Sequence, residues 1–257
     1  SEEQWYRKFG ELPEEAKRIY QSSWESYEIS QKIESMKHSL KKPIDKARFL
    51  ANSSQESGAW LHCLPSPQLG THLNNEEFRI SVGLRLVAAI VQPHKCKCKS
   101  KVDKFGRHGL SCSKASGTLP RHGSVNDIFQ RAFTTAEIPC KREPLGCSRP
   151  DGKKPDGLTL VPWAKGRSLL WDYTCADTFA KSYVNRTANE LGWAAKQAEK
   201  DKFDHYTDLM SQFLFVPIAT ETSGVIGKCG MDLIKKIGSK ITEKLMKKEQ
   251  QVICCKE

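Results

Sequence analysis

Apolar side chains recur regularly in the C-terminal half of the chain. Five of them lie three and four positions apart, namely Val125, Ile128, Phe129, Ala132 and Phe133. This spacing predicts one apolar face of a helix, and Ser124 immediately before it is a favourable N-cap.

Segments with strand and helix patterns alternate after this helix. They are an extended piece at 141–144, β-rich runs at 158–163 and 168–176 around a turn at 164–166, a long helix at 187–211, a buried strand at 213–219, and a last helix bearing Met231, Ile234, Ile237, Ile241 and Leu245. The pattern therefore predicts a mixed α/β (α+β) fold in the order helix, three strands, helix, strand, helix.

The N-terminal region is polar, and its pattern is helical. Pro13, Glu14 and Glu15 suit the start of a helix. Few apolar residues follow, so residues 1–50 are expected to form an arm that docks onto another surface. Its apolar face would carry Tyr20, Trp24 and Tyr27. Further along, Asn75 is expected to cap a helix that carries Phe78, Val82, Leu86 and Ile90.

The charge of the chain narrows the choice of partners. Its 257 residues include 41 Lys and Arg against 30 Asp and Glu, which gives a formal net charge of +11. This surplus favours DNA, RNA or an acidic membrane surface as a partner, although a merely solubilising surface explains it equally well. The longest apolar run, at 86–91, is far shorter than the roughly 18 residues of a membrane span, so no membrane-spanning segment is expected. Of the possible partners, nucleic acid is therefore preferred and no membrane is assigned.

Three of the ten cysteines cluster around a histidine. The four residues are Cys96, Cys98, His108 and Cys112. Three thiolates and an imidazole are the ligands of a closed structural zinc site. The single residue between Cys96 and Cys98 is a shorter gap than zinc sites usually have. His94 or His122 could replace one of the four ligands. Residues 93–123 have few large apolar side chains and therefore need a crosslink such as a bound metal ion to fold. The alternative is a set of unrelated surface thiols. The clustering favours reduced, intracellular cysteines.

Two aspartates flank the turn of the predicted hairpin. Asp156 precedes the first strand and Asp172 lies on the second, with fifteen residues between them. A hairpin can bring the two carboxylates to one end of the sheet, where they would suit Mg²⁺, and Glu143 could add a third. The alternative is that Asp156 caps a turn and Asp172 is an ordinary edge residue. The apolar neighbours of Asp172 indicate a buried strand and argue against an ordinary edge position for this residue, because a buried charge needs a partner.

Glu199, Lys202 and Tyr206 fall on one face of the long helix. A solvated charged face is the common explanation for such a set. The functional interpretation puts Lys202 over the metal site, where its ammonium would orient water or hold a phosphate oxygen.

At this point the sequence resembles a known family. The spacing from Pro155-Asp156 to Asp172 is similar to that of the PD-(D/E)xK nuclease core, whose fold has the order helix, three strands, helix, strand. More narrowly, the run from Trp60 to Gly224 resembles the C-terminal region of non-LTR retrotransposon proteins that carry a restriction-like endonuclease, over about two-thirds of the chain. The matching pieces are Asn75-Glu-Glu-Phe-Arg, Cys96-Lys-Cys, Gly106-Arg-His-Gly-Leu-Ser-Cys112, Arg121-His122, Asn126-Asp127, Glu143-Pro, Lys154-Pro-Asp-Gly, Trp171-Asp, Ala198-Glu-x-x-Lys202, Tyr206 and Glu221-Thr.

The resemblance implies a role for each matching residue. The cysteine–histidine set would be a zinc knuckle before the nuclease. Asp156 and Asp172 would bind the catalytic Mg²⁺ or Mn²⁺. The other catalytic residues would be Glu143, Lys202 and Tyr206. The residues that bind nucleic acid would be Arg121, His122, Lys153 and Lys154. Alternatively, Arg121 and His122 would pack against the zinc knuckle. Many such nucleases carry a lysine two residues after the second acid, where this chain has Thr174, so Lys202 would replace it or the enzyme would be inactive.

The resemblance also implies a function and a division of the chain. The protein would nick target DNA for integration, with element RNA and the reverse transcriptase region of a parent polyprotein as further partners, in the nucleus. We expect a helical N-terminal region at 1–92, the zinc knuckle at 93–123, a restriction-endonuclease-like αβββαβ domain at 124–248 and a tail at 249–257. The first alternative is an inactive nucleic-acid-binding module from a decayed element. The second is an interaction module that zinc stabilises and in which Asp156 and Asp172 have only a structural role.

Overall fold

The computed structural model of the protein describes residues 2–12, 14, 20–148 and 152–254. The helices are α1 (Glu2–Phe9), α2 (Gln21–Ser39), α3 (Pro43–Asn52), α4 (Gln55–Gly58), α5 (Asn75–Leu86), α6 (His108–Ser111), α7 (Thr118–Thr135), α8 (Val184–Thr187), α9 (Trp193–His205) and α10 (Lys228–Cys254). Short 3₁₀ helices span Ala59–His62 and Thr207–Ser211. The strands are β1 (His94–Lys95), β2 (Lys101–Val102), β3 (Cys140–Arg142), β4 (Gly157–Thr159), β5 (Leu169–Ala176) and β6 (Leu214–Glu221).

A four-stranded sheet in the order β3-β4-β5-β6 forms the centre of the C-terminal part. β3, β4 and β5 pair antiparallel, whereas β6 runs parallel to β5 along its whole length, from Leu169 opposite Leu214 to Ala176 opposite Glu221. The mixed α/β class is therefore confirmed, and the main elements from α7 onward follow the predicted order.

β4 and β5 form the predicted hairpin. Ala164 and Arg167 close its turn, and the two residues between them, Lys165 and Gly166, have φ angles of 49° and 69°. Positive φ at both central residues is what a tight hairpin turn with the twist of its strands requires. Gly157 lies opposite Trp171, in a register three residues away from the one that the turn alone would set. The shift is possible because residues 160–163, which were predicted as strand, lie outside β4.

Side chains that alternate along β5 enter two separate cores, because successive residues of a strand point to opposite faces of a sheet. Leu169, Trp171 and Tyr173 pack with Phe133 of α7 and Leu233 of α10. On the other face, a second buried cluster contains Cys147, Leu170, Tyr206 and Phe215. Helices thus cover both sides of the strand that carries Asp172.

The start of α7 differs from the prediction. The helix begins at Thr118, with Gly117 as its N-cap residue, so Ser124 lies inside the helix and does not cap it. Pro120 fits because the first turn of a helix has amide groups without intrahelical partners. The expected boundary between residues 123 and 124 therefore falls within one continuous helix.

The predicted long helix at 187–211 is also wrong in its extent. It is divided into α8, α9 and a 3₁₀ turn, and Gly192 precedes α9 with a φ of 74°. A left-handed residue cannot continue a right-handed helix, and glycine adopts that conformation at low cost. By contrast, α10 runs on to Cys254 through most of the expected tail.

The prediction for α5 is partly wrong. The cap is Asn74, whose side chain forms a capping box with Glu77, and the helix ends at Leu86 before Ile90 is reached. The expected apolar face is not buried, since Phe78 is 53% and Leu86 71% exposed.

The N-terminal arm is helical, as expected, and its aromatic residues contact one another. Trp24 and Tyr27 of α2 pack against Trp5 of α1, with ring centroids 5.0 and 6.0 Å apart, whereas Tyr20 is exposed. Pro13 and Glu15 of the expected helix start lie outside the described residues. A search of the described helices finds none with the length and apolar character needed to cross a bilayer.

Candidate functional site

Asp156 and Asp172 lie next to the same rung of the β4–β5 ladder. Asp156 directly precedes Gly157, and Asp172 directly follows Trp171, the residue opposite Gly157. The Asp156 amide donates to the Trp171 carbonyl at 3.0 Å, and Asp156 Oδ2 accepts from the Tyr173 amide at 2.6 Å. Asp156 therefore contacts the residues on both sides of Asp172.

Asp172 is the more buried of the two acids, with 4% of its surface exposed. Burial raises the pKa of its carboxyl group, and the charge of Asp156 raises it further, while Lys202 opposes both effects. Among the described residues Oδ2 of Asp172 has no hydrogen-bond partner, although the ammonium of Lys202 contacts it as an ion pair. A buried carboxylate oxygen in this state can still accept a ligand.

Asp156 is held by two other groups. Its Oδ2 lies 3.3 Å from Nε2 of His122 and accepts from the Tyr173 amide. Burial alone would raise the pKa of Asp156, but the hydrogen bonds from His122 and Tyr173 lower it below its usual value. Asp156 is therefore the acid that ionises readily, whereas Asp172 resists ionisation.

A chain of polar contacts fixes His122 beside Asp156. Asn126 Nδ2 lies 3.3 Å from His122 Nδ1, and Asn126 Oδ1 accepts from Trp171 Nε1 at 3.2 Å in the buried core. The hydrogen bond to Asp156 raises the pKa of His122. This contact was missed in the sequence, where His122 was expected to touch nucleic acid or the knuckle.

The three residues predicted on one face of the long helix have different environments. Lys202 contacts Asp172. Glu199 is buried, and its Oε1 accepts from the amides of Cys229 and Gly230 at 2.9 and 3.3 Å at the start of α10. Tyr206 is buried with its ring 4.6 Å from that of Phe215. Lys202 therefore meets one of the two acids, whereas the carboxylate of Glu199 is used at the start of α10.

Glu143 is near Asp156 through its backbone. Its amide donates to the Asp156 carbonyl at 3.0 Å, while its side chain is exposed and its φ is 45°. Lys153 and Lys154 are exposed in the segment before β4. Arg121 donates to the Leu110 carbonyl at 3.1 Å, which agrees with packing against the knuckle.

The four predicted zinc ligands come together. Cys96, Cys98, His108 and Cys112 each offer a donor atom, and these atoms all lie within 4.8 Å of one another. His94 lies outside this group, with Nδ1 bonded to the Gln92 carbonyl, and His122 is beside Asp156. The cluster could therefore hold a metal ion with the four ligands expected from the sequence.

Local structure explains this convergence. Cys96 and Cys98 lie in the turn between β1 and β2, where the Cys96 amide donates to the Ser100 carbonyl at 2.9 Å. His108 begins α6, and the Cys112 amide bonds back to its carbonyl one turn later. Hydrogen bonds from Ser100 lower the pKa of the Cys98 thiol to about 6. The thiolate that a metal requires is thereby favoured.

Comparisons of the chain with protein-family models, with curated proteins and with solved structures found no significant match.

Proposed function

We propose that the chain is the metal-dependent DNA endonuclease domain of a retrotransposon-type protein. The observation that carries the proposal is that Asp172, buried on β5, contacts the ammonium of Lys202 and lies beside the rung of the sheet that Asp156 adjoins. A charged oxygen is costly to bury, and such groups concentrate at functional sites.

The acids fit a hard divalent cation. Mg²⁺ and Mn²⁺ take oxygen ligands, and the two carboxylates, which adjoin the same rung of the β4–β5 ladder, would offer them. Asp156 and Asp172 would hold the ion, which when bound would make water more acidic and neutralise charge on a phosphate. A cation would also offset the mutual repulsion that helps to raise the pKa of Asp172.

The other side chains have positioning and electrostatic roles in this proposal. The ammonium of Lys202 is attracted to the anionic phosphate of DNA and would hold one of its oxygens, as a motif lysine would. His122, tied through Asn126 to Trp171, keeps the Asp156 carboxylate in one orientation. Tyr206 then acts through packing beneath α9, and Glu143 through its backbone.

The metal of the Cys₃His cluster is proposed to be zinc with a structural role. Three thiolates and an imidazole fill a tetrahedral site and leave no position for a substrate. The segment between β1 and α7 has only short elements, so a bound ion would supply much of its stability.

Two further observations support the nuclease proposal. The order of the main elements from α7 to β6 is the order of the PD-(D/E)xK core that the sequence resembles. The net charge of +11 suits a polyanionic substrate. Target DNA, element RNA, a reverse transcriptase partner and a nuclear location remain parts of the proposal.

Nicking of supercoiled plasmid in the presence of Mg²⁺ tests this function. The wild type should convert plasmid to open circles, and Asp156→Asn and Asp172→Asn should not. Asp201→Asn is the matched control, because Asp201 is an exposed residue of α9 whose carboxylate accepts a hydrogen bond from Gln197 on the same helix. Equal nicking by all four proteins, or nicking that persists in EDTA, would reject the assigned site.

The second candidate is an inactive nucleic-acid-binding module. The contacts of Asp156 with His122 and the Tyr173 amide favour it, because they give that carboxylate a structural use. It predicts salt-sensitive DNA binding without Mg²⁺-dependent cleavage. The plasmid assay separates the two candidates.

A further inference from the structure

Three arginines from distant parts of the sequence line one cavity of about 210 Å³. Arg48 comes from α3, Arg85 from α5, and Arg107 from the residue before α6. Phe179 and residues 222–224, which follow the carboxyl ends of β5 and β6, complete the wall. We call this space the arginine cavity.

Positive charge in the arginine cavity is only partly balanced. Arg48 pairs with Asp45 at 3.1 Å and Arg107 with Asp103 at 3.5 Å. Arg85 instead donates to the carbonyls of Ser57 and Asn52, at 3.1 and 2.9 Å, and within the described part of the chain it forms no ion pair. Of the three guanidinium groups, those of Arg48 and Arg107 therefore each pair with one carboxylate, and that of Arg85 pairs with none.

Two guanidinium nitrogens in the arginine cavity have unused donors. Within residues 20–148 and 152–254, neither Nη2 of Arg48 nor Nη1 of Arg107 has a hydrogen-bond partner, and both atoms are buried. The Arg48 side chain is only 9% exposed. Buried charged donors are almost always satisfied in proteins, so a group that is absent from the polypeptide is expected to satisfy these two.

The two guanidinium groups are held close to one another. Phe179 lies beneath both, with its ring centroid 5.9 Å from Cζ of Arg48 and 6.0 Å from Cζ of Arg107. Burial lowers the pKa of Arg48, and the nearby charge of Arg107 lowers it further. Like charges brought together in this way repel, and an anion between them would remove the repulsion.

We propose that the arginine cavity binds a phosphate group. Arginine forks match the oxygens of phosphate, and a tetrahedral anion can accept from donors that approach from two directions. The cavity is smaller than the roughly 300 Å³ at which pockets for drug-sized ligands begin, which favours a compact anion. The phosphate is either free or part of a nucleic-acid backbone, since the recognition chemistry is the same.

This site is separate from the two acids. Its lining residues include neither Asp156, Asp172 nor Lys202. Binding in the arginine cavity needs no divalent ion and no cleavage, so its failure and the failure of the nuclease proposal are distinguishable.

Titration of the zinc-loaded full chain with inorganic phosphate tests the proposal, with NaCl of matched ionic strength as the reference. Isothermal calorimetry should show one saturable site on the wild type, and the melting temperature should rise with phosphate because only the folded state binds it. Arg48→Gln and Arg107→Gln should each weaken binding about tenfold or more, the loss of one charge-assisted contact. The control Arg131→Gln removes the same charge from an exposed position of α7 and should bind like the wild type.

A fluorescent single-stranded oligonucleotide distinguishes the two sources. If Arg48→Gln and Arg107→Gln weaken its binding more than Arg131→Gln does, and phosphate competes, the cavity takes a backbone phosphate. If oligonucleotide affinity is equal in all three variants while phosphate binding is lost, it takes free phosphate. The proposal is overturned if the wild type shows no phosphate binding beyond the NaCl reference, or if the variants in the cavity bind phosphate as Arg131→Gln does. Where a glutamine variant fails to fold, Arg48→Lys or Arg107→Lys replaces it, since lysine keeps the charge but loses the guanidinium fork and should also bind phosphate more weakly than Arg131→Gln.

Discussion

Lys202 on α9 places its ammonium against the buried carboxylate of Asp172 on β5. The position two residues after Asp172, where the nuclease motif that the sequence resembles has its lysine, is Thr174. The helix crosses the sheet so that a lysine thirty residues later in the chain reaches the same acid. This is the geometry expected if the lysine of the motif has moved from the strand to the helix.

Replacement of Lys202 by methionine should slow plasmid nicking by about 10²–10³-fold, the effect of removing one preorganised electrostatic contact. Lys200→Met on the exposed side of α9 is the matched control and should nick at the wild-type rate. Single-turnover nicking in Mg²⁺ measures both. Equal nicking rates for the two variants would show that Lys202 is not part of the catalytic site.

The pKa of His122 should depend on Asp156. The hydrogen bond to Asp156 raises the pKa of His122 above 6.5, so Asp156→Asn should lower it. A raised histidine pKa stabilises the fold fully below 6.5 and loses this contribution as the pH rises through the folded value. Histidine ring NMR between pH 5 and 9 measures the shift, with His122→Gln to assign the signal. An unchanged pKa in Asp156→Asn, or the same change in Asp201→Asn, would contradict the pairing.

Gly157 should not tolerate a side chain. A Cβ at this position would lie 2.0 Å from Cζ2 of Trp171, whose ring is fully buried. Gly157→Ala should therefore destabilise the protein by about 1–3 kcal/mol, the usual cost of overpacking. In α10, Gly238→Ala meets no atom within 4 Å and should stabilise by about 0.5–1 kcal/mol. Urea unfolding measures the free energy of unfolding of both variants. Equal values for Gly157→Ala and Gly238→Ala would show that the Trp171 ring does not pack against Gly157.

The Cys₃His cluster should carry one zinc ion per chain. Cys112→Ser should lose the metal and lower the melting temperature, because the knuckle has little core of its own. Cys63→Ser, at an exposed cysteine outside the cluster, should change neither. Metal analysis and thermal unfolding provide the test. Full zinc occupancy in Cys112→Ser, or none in the wild type, would refute the assignment.

Sequence patterns predicted the features that depend on local periodicity. The apolar run around Asp172 and the turn at 164–166 were sufficient to predict the hairpin, although not its register, which is shifted by three residues from the pairing at the turn. The spacing of the four metal ligands was sufficient for their cluster. These predictions rest on residues that are near one another in the chain.

Other features depend on tertiary contacts that no pattern reveals. His122 reaches Asp156 because α7 begins at Thr118, which puts His122 one turn before Asn126. Glu199 looked like part of a solvated face, yet it caps α10 because α9 passes the start of that helix. The arginine cavity unites residues 48, 85 and 107, which share no motif.

The central claim is that Asp156 and Asp172 hold one divalent ion together. Electron paramagnetic resonance of Mn²⁺ added to the zinc-loaded protein measures this directly. We predict one bound Mn²⁺ per chain for the wild type and for Asp201→Asn, and weak or no binding for Asp156→Asn and Asp172→Asn. Wild-type binding that survives unchanged in both site variants, or is absent from the wild type, would contradict the account.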